Sequence, residues 1–185
     1  DAICSRRPMM NSRTEEKEVY LNLGEGDFSF SLDLGRYLAK NGARLIATGF
    51  DSPQELARKY RNVDCLLGAL KKIPVEVLHN TNAISARQST DPMIRSANVV
   101  IFNHPHLGTE DAALHASFLC HLFHSIRHVW MHETGVFFLT LVEGQGERWK
   151  VEEAADQHGF IMMRRYSFVL TPEAIPDPCY EYRRH

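Results

Sequence analysis

Apolar positions in this chain come as short runs separated by longer stretches of helical periodicity. Residues 19–23 (VYLNL) read as a buried strand and Gly24-Glu25-Gly26-Asp27 as a tight turn. Residues 28–40 then carry Phe28, Phe30, Leu32, Leu34, Tyr37 and Leu38 at helical spacing and stop at Asn41-Gly42. The alternation continues. Residues 44–50 predict a second strand ending at Asp51, and Ser52-Pro53 supply an N-cap and a first-turn proline for a helix to about residue 70. A third strand is expected over 75–79, followed by Asn80-Thr81-Asn82, and a fourth over 97–103. Thr109 is expected to cap a long helix to about residue 129. Strand 135–143, helix 147–158 and one or two closing strands over 160–170 complete the pattern. Strands alternating with helices at this spacing predict an α/β fold, a mainly parallel sheet with helices on both faces. Such sheets bind ligands at the carboxyl ends of their strands, beside the switch point.

The chain has 185 residues, enough for one domain with a real core and too few for two of full size. Residues 1–18 are expected to be a flexible polar lead and 19–185 the domain; the start at Asp1 rather than Met fits a segment cut from a longer protein. Apolar runs such as 136–142 stop far short of the ~20 residues that span a bilayer, so no membrane contact is expected. The formal net charge of −2 lacks the basic excess of a domain that binds RNA alone. RNA contact would rest on Arg6-Arg7, Lys71-Lys72, Arg164-Arg165 and Arg183-Arg184, or on a protein partner in a ribonucleoprotein particle. Four cysteines with no C-x-x-C pair suggest neither a zinc ribbon nor a disulfide framework, and fit a reducing, intracellular compartment. Helical spacing puts His121, His124 and His128 near one face, but with no carboxylate or thiolate evident beside them no metal is expected.

Four polar signals follow four successive strands: Gly24 to Asp27, Asp51, Asn82, and Asn103 to His106. In a parallel sheet they share one edge. Glycines 24 and 26 admit a ligand close to the backbone, and Asp51 sits where nucleoside-binding α/β domains place a carboxylate for the ribose hydroxyls. The alternatives are a turn with no ligand and an aspartate that merely opens the next helix. Ser29 stands where G-x-G-x-x-G has its third glycine, which favours a cofactor with ribose and no pyrophosphate over a nicotinamide dinucleotide.

The strings Gly24-Glu25-Gly26-Asp27-Phe28-Ser29-Phe30-Ser31, Asp51-Ser52 and Asn103-His104-Pro105-His106-Leu107-Gly108 closely resemble the eukaryotic 25S rRNA uridine-N3 methyltransferase-like domain. That domain also occurs in a ferredoxin-fold anticodon-binding-domain-containing protein. The resemblance implies a Rossmann-like methyltransferase fold, S-adenosylmethionine as donor, and an rRNA uridine as acceptor. It implies that Gly24, Glu25, Gly26, Asp27 and Phe28 surround the methionine part, Asp51 and Ser52 the ribose, and Asn82 the adenine. Asn103, Pro105 and His106 would face the target base, Asn103 holding a uracil carbonyl and His106 acting as base. By the same resemblance the nucleolus is the expected compartment, with the mitochondrion as alternative. Asn82 and His104 depart from the usual aspartate and phenylalanine, which keeps a second reading open: a catalytically inactive scaffold subunit of a ribosomal or ribosome-assembly particle.

Overall fold

The computed structural model describes residues 17–85 and 97–165. Five strands form one parallel sheet: β1 (Val19–Leu23), β2 (Arg44–Thr48), β3 (Val75–Leu78), β4 (Ala97–Asn103) and β5 (Met131–Thr140), in the order β3-β2-β1-β4-β5. The chain moves outward from β1 through β2 to β3, then crosses back to place β4 on the other side of β1. The switch point therefore lies between β1 and β4, and the order is that of a Rossmann-like α/β sheet. Register puts Leu23 beside Phe102, Thr48 beside Leu78 and Asn103 beside Thr140, so the carboxyl ends share one edge.

β1 shows why such a strand is mostly apolar. Val19, Leu21 and Leu23 are buried in one core with β4 and the long helix, while Asn22 is its one fully buried polar residue. Helix α1 (Ser29–Lys40) ends in a Schellman motif: Gly42 N–H donates to Ala39 O and Ala43 N–H to Leu38 O, with Gly42 in the left-handed region. Gly35 lets α1 lie flat on the sheet, since a Cβ there would come within 2.4 Å of Val75 Cγ2.

Where the expected elements differ, the causes are local. The helix from Ser52 to about residue 70 is two helices, α2 (Pro53–Lys59) and α3 (Val63–Leu70), because Tyr60 adopts an extended backbone at the end of α2. Asp111, not Thr109, caps α4 (Ala112–Ser125), its carboxylate accepting from Ala113 and Leu114 N–H. A π-helical turn (Ile126–Trp130) then leads straight into β5, which starts and ends earlier than expected and carries an irregular register near Ala97. Helix 147–158 is split into α5 (Gln145–Arg148) and α6 (Val151–Gln157), with Trp149 buried at the break and Lys150 left-handed. No strand forms over 160–165, and 166–170 lie outside the described residues, as do Arg6-Arg7 and Arg183-Arg184. No helix among the described residues is long and apolar enough to cross a membrane.

Gly24 is the tightest point of this frame. Its φ is +69°, and a Cβ would lie 2.2 Å from the Phe102 ring, where the ends of β1 and β4 abut at the switch point. Gly24→Ala combines left-handed strain with overpacking, so it is expected to cost about 2–4 kcal/mol, read as a lower urea midpoint.

Candidate functional site

The loops after the strands are laced to one another. Glu25 N–H donates to Thr48 O at 2.8 Å, Gly49 N–H to Leu78 O at 2.9 Å, Thr81 N–H to Gly49 O at 2.9 Å, and His104 N–H to Thr140 O at 2.9 Å. These bonds tie the segments after β1, β2 and β3 to one another and the segment after β4 to the end of β5, while Gly24 against the Phe102 ring brings the two groups together. Among the described residues, three of the four non-glycine residues with positive φ lie in these segments, Phe28, Asn80 and His104, and such positions concentrate where a backbone must present groups to a ligand.

In the turn after β1 the acidic side chains have separate tasks. Asp27 caps the start of α1, accepting from Ser29 N–H at 3.0 Å and Ser29 Oγ at 2.6 Å. Glu25 turns inward beneath α1, where its Oε1 accepts from Ser31 Oγ at 2.8 Å and from Asn22 Nδ2. Burial pushes the Glu25 carboxyl up to about 7; the nearby Asp27 charge adds to this, and the hydrogen bonds from Ser31 and Asn22 oppose it. The Phe28 ring is wholly buried and meets His79 edge-on, with ring centroids 5.6 Å apart, so its expected place against a cofactor reduces to its backbone. The Glu25 carboxylate is likewise engaged within the protein, by Ser31 and Asn22.

Asp51 is largely covered, with 17% of its side chain exposed, and both carboxylate oxygens accept from Lys59 Nζ, at 2.7 and 2.8 Å. Ser52 is the N-cap of α2 in a capping box with Glu55, which occupies its hydroxyl. Tyr60 leans back over the glycine turn, where a Cβ on Gly26 would come within 2.8 Å of its hydroxyl. Burial and the charges of Asp27 and Asp51 raise the Tyr60 phenol. Asn82 Oδ1 accepts from Ile84 N–H at 3.1 Å and shapes the turn after β3.

The segment after β4 is the second wall. Asn103 Oδ1 accepts from Thr140 Oγ1 at 2.7 Å, which orients the amide and leaves its Nδ2 as a donor. Pro105 is buried within the loop. His106 is exposed; its Nδ1 accepts from Gly108 N–H at 2.9 Å and its Nε2 lies 3.7 Å from Glu110 Oε1. A neutral ring that accepts at Nδ1 carries its proton on Nε2, so in this geometry His106 presents a donor at Nε2. Burial lowers the His104 pKa.

Sequence reasoning missed Asn22 and Ser31, which hold Glu25, and Lys59 and Tyr60, which complete the Asp51 corner. A polar residue inside β1 and the Ser29/Ser31 alternation were the available signals. Lys71 and Lys72 precede β3 and so sit at the opposite edge, and Arg165 pairs with Glu152. The His124 ring approaches those of His128 and His158, yet among the described residues no three His, Cys, Asp or Glu side chains are placed to hold a metal ion.

The BMT5-like family, described as rRNA (uridine-N3-)-methyltransferase BTM5-like, matches residues 21–176. The chain belongs to this family. Heavy metal-associated isoprenylated plant protein 41 of Arabidopsis thaliana is 28% identical over 171 residues, covering 89% of this chain and 32% of its own length. An uncharacterized protein of the same plant is 29% identical over 89 residues, covering 48% of this chain and 42% of its own. The chain thus spans less than half the length of these relatives. Among solved structures, precorrin-6y C5,15-methyltransferase from Geobacter metallireducens superposes with a TM-score of 0.47 at 16% identity, over 80% of this chain and 64% of that one. A lactate dehydrogenase from Eimeria maxima gives 0.42 at 12%, over 78% and 42%. The strand order and register carry the fold class.

Proposed function

We propose that this protein is an S-adenosylmethionine-dependent RNA methyltransferase acting on a uridine imide nitrogen, with rRNA as its substrate class. The observation that carries this reading is the meeting, at the switch point of a BMT5-like domain, of a glycine turn with a covered carboxylate on one side and the Asn103–His106 loop on the other. The residues fit the cofactor. Gly24 and Gly26 leave backbone open, Asp51 can accept from two ribose hydroxyls once Lys59 yields, and the Asp27 carboxylate gives the turn an acidic character suited to a ligand bearing ammonium and sulfonium charge. Asn82 would meet the adenine amino group through its carbonyl oxygen. When bound, S-adenosylmethionine supplies an electrophilic methyl group.

The chain's own part is to orient the acceptor and manage its charge. Asn103 Nδ2 and His106 Nε2–H are donors on the same loop, suited to the two carbonyls that flank the uracil imide nitrogen. Both would stabilise the negative charge that spreads onto those oxygens as the imide proton passes to solvent water.

Calorimetric titration with S-adenosylmethionine, its demethylated product and NAD tests the reading; binding of NAD alone would overturn it. Asp51→Ala is expected to weaken cofactor binding by at least about tenfold, because charge-assisted hydrogen bonds contribute about 1.5–3 kcal/mol each. Its melting temperature should stay close to that of the parent, since the Lys59 ammonium left behind is about half exposed and can be solvated. A variant that melts far lower yet binds normally would make Asp51 a structural residue. Cofactor binding without any transfer to RNA would favour the scaffold reading.

A further inference from the structure

We infer that His115, on α4, is the positioning residue that holds the acceptor loop in place, an inference that rests on the methyltransferase reading. The loop from Asn103 to Gly108 is tied at its near end by His104 N–H to Thr140 O on β5. At its far end Leu107 N–H donates to His115 Nε2 at 3.3 Å. The other ring nitrogen, Nδ1, faces Asp111 O at 2.9 Å. A backbone N–H can only donate and a carbonyl can only accept, so the ring must be the neutral Nδ1–H tautomer, matched to both partners at once.

The ring has little freedom to leave this setting. His115 is 1% exposed, and it stacks face to face on Trp149, with centroids 4.0 Å apart and planes 10° from parallel. Trp149 is itself 1% exposed and fills the break between α5 and α6, which gives that break a purpose. His106 packs against the same ring at 5.1 Å. The loop's one exposed imidazole is thus set on a buried one, and the Leu107 hydrogen bond fixes the chain directly after it. On sequence alone His115 belongs with His121, His124 and His128 as one more helical histidine; the fold gives it a separate task.

The two amide replacements of His115 separate this role from mere packing. Glutamine can place an acceptor near the position of Nε2, keeping the Leu107 bond, while asparagine can replace only Nδ1–H and keeps the Asp111 bond. In the full chain, His115→Asn is expected to lose protection of the Leu107 amide against hydrogen exchange. It should also lower kcat for RNA methylation about 10²-fold, the cost of a displacement near 1 Å, with cofactor affinity unchanged. His115→Gln should retain Leu107 protection and most of kcat. Melting temperatures of the two variants control for lost stacking on Trp149. Equal behaviour of the two variants in exchange and in kcat would overturn the inference, as would full activity in His115→Asn. If the parent protein transfers no methyl group, the methyltransferase reading fails, while Leu107 exchange still decides whether His115 holds the loop.

Discussion

His106→Ala is expected to slow methyl transfer to RNA by about 10²–10³-fold while leaving cofactor affinity within a few-fold. The side chain is exposed on the proposed acceptor loop, has its polar partners in Gly108 and Glu110 rather than in Asp51 or the glycine turn, and is assigned to the acceptor, so its loss should fall on the chemical step. His106→Gln discriminates between two roles for the same residue. Glutamine can still donate a hydrogen bond but cannot take up a proton near neutral pH, so a donor role predicts substantial recovery and a base role predicts none. Gly108 N–H occupies Nδ1, and this favours recovery. Single-turnover transfer of labelled methyl to RNA from cells lacking the protein is the measurement. A glutamine variant as slow as alanine would return His106 to the part of base.

The second large effect concerns stability. Glu25 carries a carboxyl raised from 4.5 to about 7 in the folded protein. Below pH 4.5 it is protonated in both states and costs nothing. As pH rises towards 7 the unfolded chain loses this proton first, so the folded state is progressively disfavoured, reaching about 3 kcal/mol above pH 7. Glu25→Gln removes the ionisation while its carbonyl oxygen can still accept from Asn22 and Ser31. The variant is therefore expected to be about 2–3 kcal/mol more stable than the parent at pH 8 and nearly equal to it at pH 4. Urea unfolding at those two pH values checks this; parallel pH profiles for the two proteins would refute the burial of an ionisable Glu25.

The frame of the site was legible because it depends on short-range pattern. A five-residue apolar strand, a glycine turn and a helix with an Asn41-Gly42 stop leave few options, and β1, α1 and β2 lie where the pattern puts them. Asp51 and Asn103 could be placed on one edge because parallel strands order their ends. What escaped reading depends on contacts distant in sequence. Nothing local marks a break at Tyr60; its extended backbone accompanies a side chain that leans over Gly26, more than 30 residues earlier. Trp149 interrupts a good helical stretch to meet a histidine on another element. Lys59 reaches back along its own helix to Asp51, and Glu25 turns inward because Asn22 and Ser31 wait there. The tautomer of His106, which changes its chemistry, rests on one backbone N–H two residues later.

The left-handed backbone at Phe28, Asn80 and His104 has a consequence for anyone who would engineer this domain. Each is a place where glycine would relax the chain, so a search for heat resistance guided by backbone ease alone would be drawn to the edge that carries the proposed site. Relief gained there would come with looser loops, and the two goals would pull against each other. The amino edge of the sheet, with the Arg44–Glu76 pair and the Lys71-Lys72 turn, holds none of the proposed site residues, so changes to its exposed positions would leave the proposed site untouched.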